Sequence, residues 1–139
     1  PLLEKLKNHT SVIGTRAVWL LASIYMQNNQ YSQAKEMIQT HPQLSQTLQG
    51  QEALGRIAAK EGDLETAAEF YKKITQQSCE AKSFLARRAY QEKDWAQARS
   101  LTEDLLNDYP ENLQLQDNLK KIIANEEIER KNSSRPLLR

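Results

Sequence analysis

The sequence predicts an all-α fold: a right-handed α-solenoid of three helix pairs closed by a C-terminal capping helix. Three observations predict it. Ala34, Ala67 and Ala98 recur at intervals of 33 and 31 residues, a period that marks stacked helix pairs. Each alanine follows a leucine and a small residue at a matching offset: Leu21-Ala22, Leu54-Gly55 and Leu85-Ala86. Leu, Ala, Gln, Glu and Lys dominate while Val, Ile and Thr are sparse, a balance that favours helix over sheet.

Residues 2–8 read as a short amphipathic helix with Leu2, Leu3 and Leu6 on one face, broken at His9-Thr10-Ser11. A helix over about 12–28 follows, because Val18, Leu21, Ala22 and Tyr25 hold the spacing of one buried face. Asn28-Asn29-Gln30 makes the turn into a shorter helix over about 31–40, which His41-Pro42 stops, since proline disfavours helix in the residue before it. The second pair covers about 43–61 and 64–76. Gly62 supplies the left-handed cap between them and Asp63 accepts the free amides of the next helix. The third pair covers about 80–92 and 95–109, with Asp94 repeating the role of Asp63. Pro110 opens the last helix at its first turn, where a missing amide proton costs nothing. The repeats thus span about 12–42, 43–77 and 78–110, with the capping helix over 111–131. Residues 1–131 make one domain and 132–139 a flexible basic tail.

Composition bounds the function. Net charge is +1 with 27% charged residues, so neither sign dominates and no nucleic-acid partner is expected. No apolar run approaches the roughly 20 residues of a membrane span, so no direct membrane insertion is expected. The single cysteine, Cys79, excludes an internal disulfide and a multi-cysteine metal site and reads as a small apolar residue. His9 and His41 lack partners at ligand spacing and read as helix-end residues. Glu126, Glu127 and Glu129 read as a solvated face balanced by Arg130 and Lys131. No phosphate loop, nucleophile elbow or dinucleotide fingerprint is present. The expectation is no catalysis, no metal and no cofactor. A chain that opens at Pro1 reads as an excised domain or a processed form, and both cytoplasm and bacterial periplasm fit it.

Leu54, Gly55, Ala58, Gly62, Leu64, Ala67 and Tyr71 resemble the tetratricopeptide repeat family. So do Leu85, Ala86, Ala89, Trp95, Ala98, Leu105 and Pro110, and, less fully, Leu21, Ala22, Tyr25, Tyr31, Ala34 and Ile38. The small residues Ala22, Gly55 and Ala86 let paired helices approach closely. The resemblance implies that the first helix of each pair lines a concave groove. On that register the groove residues are Trp19, Ser23 and Met26, then Glu52, Arg56 and Ala59, then Ser83, Arg87 and Tyr90, with Phe84 as a further anchor. Arg56 and Arg87 would offer planar forks to carboxylates, and the aromatics are the residue types that dominate interface energies. The family positions that grip chaperone tails are Trp19, Ser23, Ala53, Glu80 and Phe84 here, and none matches. The implied function is a scaffold or adaptor that holds a partner peptide or helix. The alternatives are an assembly subunit of a larger complex, for example a secretion or envelope-biogenesis machine, or a regulatory domain. The first would self-associate or dock through its repeat ends, Leu2, Leu3 and Leu6 or Pro136-Leu137-Leu138.

Overall fold

The computed structural model describes residues 12–134. The expected helix at 2–8 and the end of the tail from 135 lie outside the described residues. Eight helices are described: α1 (Val12–Gln27), α2 (Tyr31–Gln39), α3 (Pro42–Ser45), α4 (Leu48–Lys60), α5 (Leu64–Lys72), α6 (Cys79–Gln91), α7 (Trp95–Asp108) and α8 (Leu113–Ser134). No strand occurs among the described residues. This is the all-helical, helix-pair fold that the repeat period predicts.

The chain divides into two compact units, Pro1–Ser78 and Cys79–Arg139. In the first, α1 packs on α2 and α4 on α5, with α2 also against α4. Their shared core holds Val18, Leu21, Ala22, Ala34, Ile38, Leu54 and Ile57. Ile38 and Ile57 are almost wholly removed from water, each a contribution of about 1.5–3 kcal/mol. Ala22 and Ala34 are fully buried, and at Gly55 an added Cβ would stand 2.8 Å from Cζ of Tyr71. In the second unit α6 packs on α7 and α7 on α8, with Ala89, Ala98 and Ile122 clustered against Trp95.

The three pair turns share one geometry. Asn29 (φ 61°), Gly62 (φ 85°) and Lys93 (φ 62°) occupy the left-handed region, at the same 33- and 31-residue intervals as the alanines. In each turn the next residue's amide reaches back five positions: Gln30 to the Tyr25 carbonyl at 2.8 Å, Asp63 to Ala58 at 2.9 Å and Asp94 to Ala89 at 2.8 Å. The left-handed residue itself bonds three positions back, to Met26, Ala59 and Tyr90, each at 3.1 Å. Both bonds together make the Schellman closure that satisfies the last carbonyls of a helix. Asp63 then caps α5 through Oδ1, which accepts the Thr66 amide at 3.1 Å. Asp94 does the same for α7 with the Gln97 amide at 3.3 Å. Hydrogen bonds from the Thr66 side chain and amide hold the Asp63 carboxyl below its ordinary value.

The structure corrects four boundaries. The helix expected over 43–61 is two helices, because the Thr47 side chain caps α4 by accepting the Gly50 amide at 2.9 Å while donating to the Leu44 carbonyl at 2.6 Å. The helix expected to reach 76 ends at Lys72, where the Thr75 hydroxyl meets the Tyr71 and Lys72 carbonyls at 3.1 Å each. Pro110 does not open α8. Asn112 caps it, its Oδ1 accepting the Leu115 amide at 3.0 Å, and Pro110 lies in the preceding turn. The last helix runs to Ser134 and absorbs residues 132–134 of the expected tail.

Candidate functional site

Four of the expected groove residues meet in the first unit. Trp19, Ser23 and Met26 of α1 line a cavity of about 300 Å³ with Arg56 of α4. The other lining residues are Gln27, Tyr31 and Lys60. The arrangement follows from helical spacing: 19, 23 and 26 share one face of α1, and Arg56 and Lys60 stand one turn apart on α4. The Ser23 hydroxyl donates to the Trp19 carbonyl at 2.9 Å, and the Tyr31 phenol to Asn29 at 2.9 Å. Those donors are spent within the protein, so Arg56 and Lys60 carry the charge of a wall otherwise built from Trp19, Met26 and Tyr31. No carboxylate lines this cavity.

Glu52, a groove candidate by register, lies outside that cavity's lining. Its Oε2 accepts the hydroxyl of buried Ser78 at 2.6 Å. This bond ties the segment after α5 back onto α4 and gives Glu52 a structural task.

In the second unit Ser83, Arg87 and Tyr90 of α6 line a cavity of about 580 Å³. Leu105 of α7 lies at its base, and its opposite wall is α8, with Leu115, Asn118, Lys121 and Ile122. Tyr90 is held edge-on to Trp95, with ring centroids 5.2 Å apart at 82°. Ala86, expected to allow close helix approach as Gly55 does, is only half-buried and opens into the cavity. Phe84 is half-buried and lines neither cavity. The α8 wall went unread in the sequence, where that helix figured only as a solvating cap. The available signal was the spacing of Leu115, Asn118 and Ile122, with Lys121 beside them, on one helical face.

The acidic residues of α8 are not simply a solvated face. The Trp95 indole Nε1 donates to Glu129 at 2.7 Å, and Arg99 pairs with Glu126 at 2.9 Å. These two contacts fasten α8 to α7, and the bond that Arg99 donates to Glu126 raises the guanidinium above its ordinary value. Glu127 pairs with Arg130 at 2.7 Å, the local balance that the sequence suggested. A cleft of about 610 Å³ beside them interleaves Asp94 and the glutamates with Lys93, Arg99 and Arg130, so it selects no sign of charge.

Among the described residues no group of three His, Cys, Asp or Glu side chains is placed to hold a metal ion. No helix among them is long and apolar enough to cross a membrane. Two family models, each described as tetratricopeptide repeat, match the chain, one over residues 81–112 and the other over 15–40 and 49–78. A comparison with curated proteins finds no match. The matched segments coincide with the three helix pairs and cover more than half of the sequence. Repeats of this kind form protein–protein interaction modules, which are typically non-catalytic. By its period, its turns and these matches, the chain belongs to the tetratricopeptide repeat family.

Proposed function

We propose that this module is an adaptor that holds a segment of a partner protein, extended or helical, in the cavities lined by the first helix of each pair. One observation carries the reading: Trp19, Ser23, Met26 and Arg56, chosen by repeat register, line a single cavity with aromatic walls and a cationic lip. Aromatic side chains and arginine are the groups around which interface energy concentrates. The test is capture of partners by the full chain beside an Arg56→Glu, Arg87→Glu variant. The adaptor reading expects a partner held by the native chain and lost by the variant. Equal retention by both overturns it.

A second reading, an assembly subunit that works through its ends, draws on the last helix. Leu113 is 73% exposed there and Ile128 57%, large apolar side chains left in water on the helix that follows the third pair. Ile128→Lys then breaks self-association or docking seen by sedimentation, and leaves groove binding intact. A native chain that stays monomeric at high concentration and docks to nothing through α8 removes this reading.

A further inference from the structure

We infer that the cavity between α6 and α8 is a second binding site, built for an acidic segment that also carries an apolar side chain. The inference rests on the adaptor reading and specifies the chemistry of its partner. Two cations face this cavity from opposite walls, Arg87 on α6 and Lys121 on α8. Both side chains are exposed, and neither forms an ion pair among the described residues. Their neighbours behave differently. Arg88, next along α6, is engaged by Glu92 at 3.0 Å, and Arg99 and Arg130 also have carboxylate partners. Arg87 and Lys121, by contrast, face a cavity whose lining offers them no carboxylate.

No Asp or Glu lines it, although the chain carries 18 acidic residues against 19 basic ones. The charge is therefore segregated rather than a reflection of composition. Between the cations the floor is apolar: Leu105 and Ile122 are buried and Leu115 half-buried. An occupant that satisfies both features places an aliphatic or aromatic side chain on the floor and carboxylates towards the two cations. A purely anionic ligand leaves the floor in water, and a purely apolar one buries against two unneutralised charges. Both cations are exposed, so their attraction for carboxylates acts at contact and weakens as salt rises.

The test is selection of a random displayed peptide library on the full chain. Enriched peptides are then titrated against the native protein and three variants: Arg87→Gln, Lys121→Gln, and Trp19→Ala with Arg56→Gln. The expected result is enrichment of Asp or Glu next to Leu, Ile or Phe. Arg87→Gln and Lys121→Gln should each weaken binding by about threefold to fivefold, the size of one partly exposed charge contact. Replacing Asp and Glu by Asn and Gln in the peptide should cost at least as much. Circular dichroism on each variant shows that the fold is kept. Enriched peptides without acidic residues, or acidic peptides indifferent to both Arg87→Gln and Lys121→Gln, overturn the inference. Peptides that ignore all three variants overturn the adaptor reading as well, as does a selection that enriches nothing. Peptides that depend on Trp19 and Arg56 alone leave that reading standing and defeat only this second site.

Discussion

At the scale of single residues, the tightest constraints are places where one atom more does not fit or one dihedral is unusual. Gly50 is the sharpest. A Cβ there would lie 1.8 Å from the Leu44 carbonyl oxygen, a backbone atom fixed by the junction of α3 and α4. At Gly55 the obstacle is the Tyr71 ring at 2.8 Å, a side chain that can tilt. Both glycines sit inside a helix, where alanine by itself would gain about 1 kcal/mol. We therefore expect Gly55→Ala to destabilise by about 1–2 kcal/mol and Gly50→Ala by about 3 kcal/mol or more. Urea unfolding of the two variants checks the order, and a Gly50→Ala protein as stable as the native one contradicts it. Lys93 presents the opposite case. It holds φ 62° where the second turn has glycine, and a side chain in that region costs about 1 kcal/mol. Lys93→Gly should stabilise the third pair by about 0.5–1 kcal/mol, read as a raised melting temperature.

At the scale of elements, the same turn is written three times with different residues, and one copy lacks a part. Asp63 and Asp94 cap α5 and α7 with their side chains. Gln30 holds nearly the same backbone angles, φ −93° and ψ 69° against −92° and 79° at Asp63, but its side chain caps nothing. Gln30→Asp should supply the missing cap and add about 1 kcal/mol. The Thr66 hydroxyl and then its amide hold the Asp63 carboxyl below its ordinary value, and a carboxylate at position 30 that accepts a backbone amide is expected to be lowered in the same sense. Its stabilisation is thus present above the ordinary 3.8 and fades as pH falls through the lower folded value. Thermal melts of native and Gln30→Asp chains should differ at pH 7 and converge in strong acid; a gain unchanged by acid would rule out a charged cap. These turns were legible in sequence because Gly62, Asp63 and Asp94 act on their immediate neighbours. The break at Gln46-Thr47 was not, since no glycine or proline lies there and Thr47 caps a helix whose third position is Gly50 instead of the usual Glu. The cavity walls divide in the same way. Repeat register found Trp19, Ser23, Met26 and Arg56 together. It set Glu52 in the groove, because nothing local reveals a bond to Ser78, 26 residues on. It passed over Lys121, whose role depends on how α8 packs.

At the scale of the whole molecule, the formal charge of +1 conceals local order. Two cavities each present two cations and no carboxylate: Arg56 and Lys60 in one unit, Arg87 and Lys121 in the other. A nearly neutral chain exerts little long-range attraction, so partners are not steered from a distance. What charge contributes is contributed at contact, inside a Debye length of about 10 Å at 0.1 M salt. The consequence is a particular salt response. Raising ionic strength from about 50 to about 500 mM should weaken capture of an acidic partner segment by about threefold to tenfold, chiefly through faster dissociation. A ligand bound through its phosphates, such as a nucleic acid, would instead lose about 10³–10⁵ between 50 and 200 mM. Surface plasmon resonance across that range separates the cases. A shallow slope that flattens in Arg87→Gln and again in Lys121→Gln locates the charge contacts in the second unit's cavity. A slope unchanged by both substitutions moves them elsewhere. Affinity indifferent to salt in the native chain removes carboxylate recognition and leaves only the apolar and aromatic walls to hold a partner.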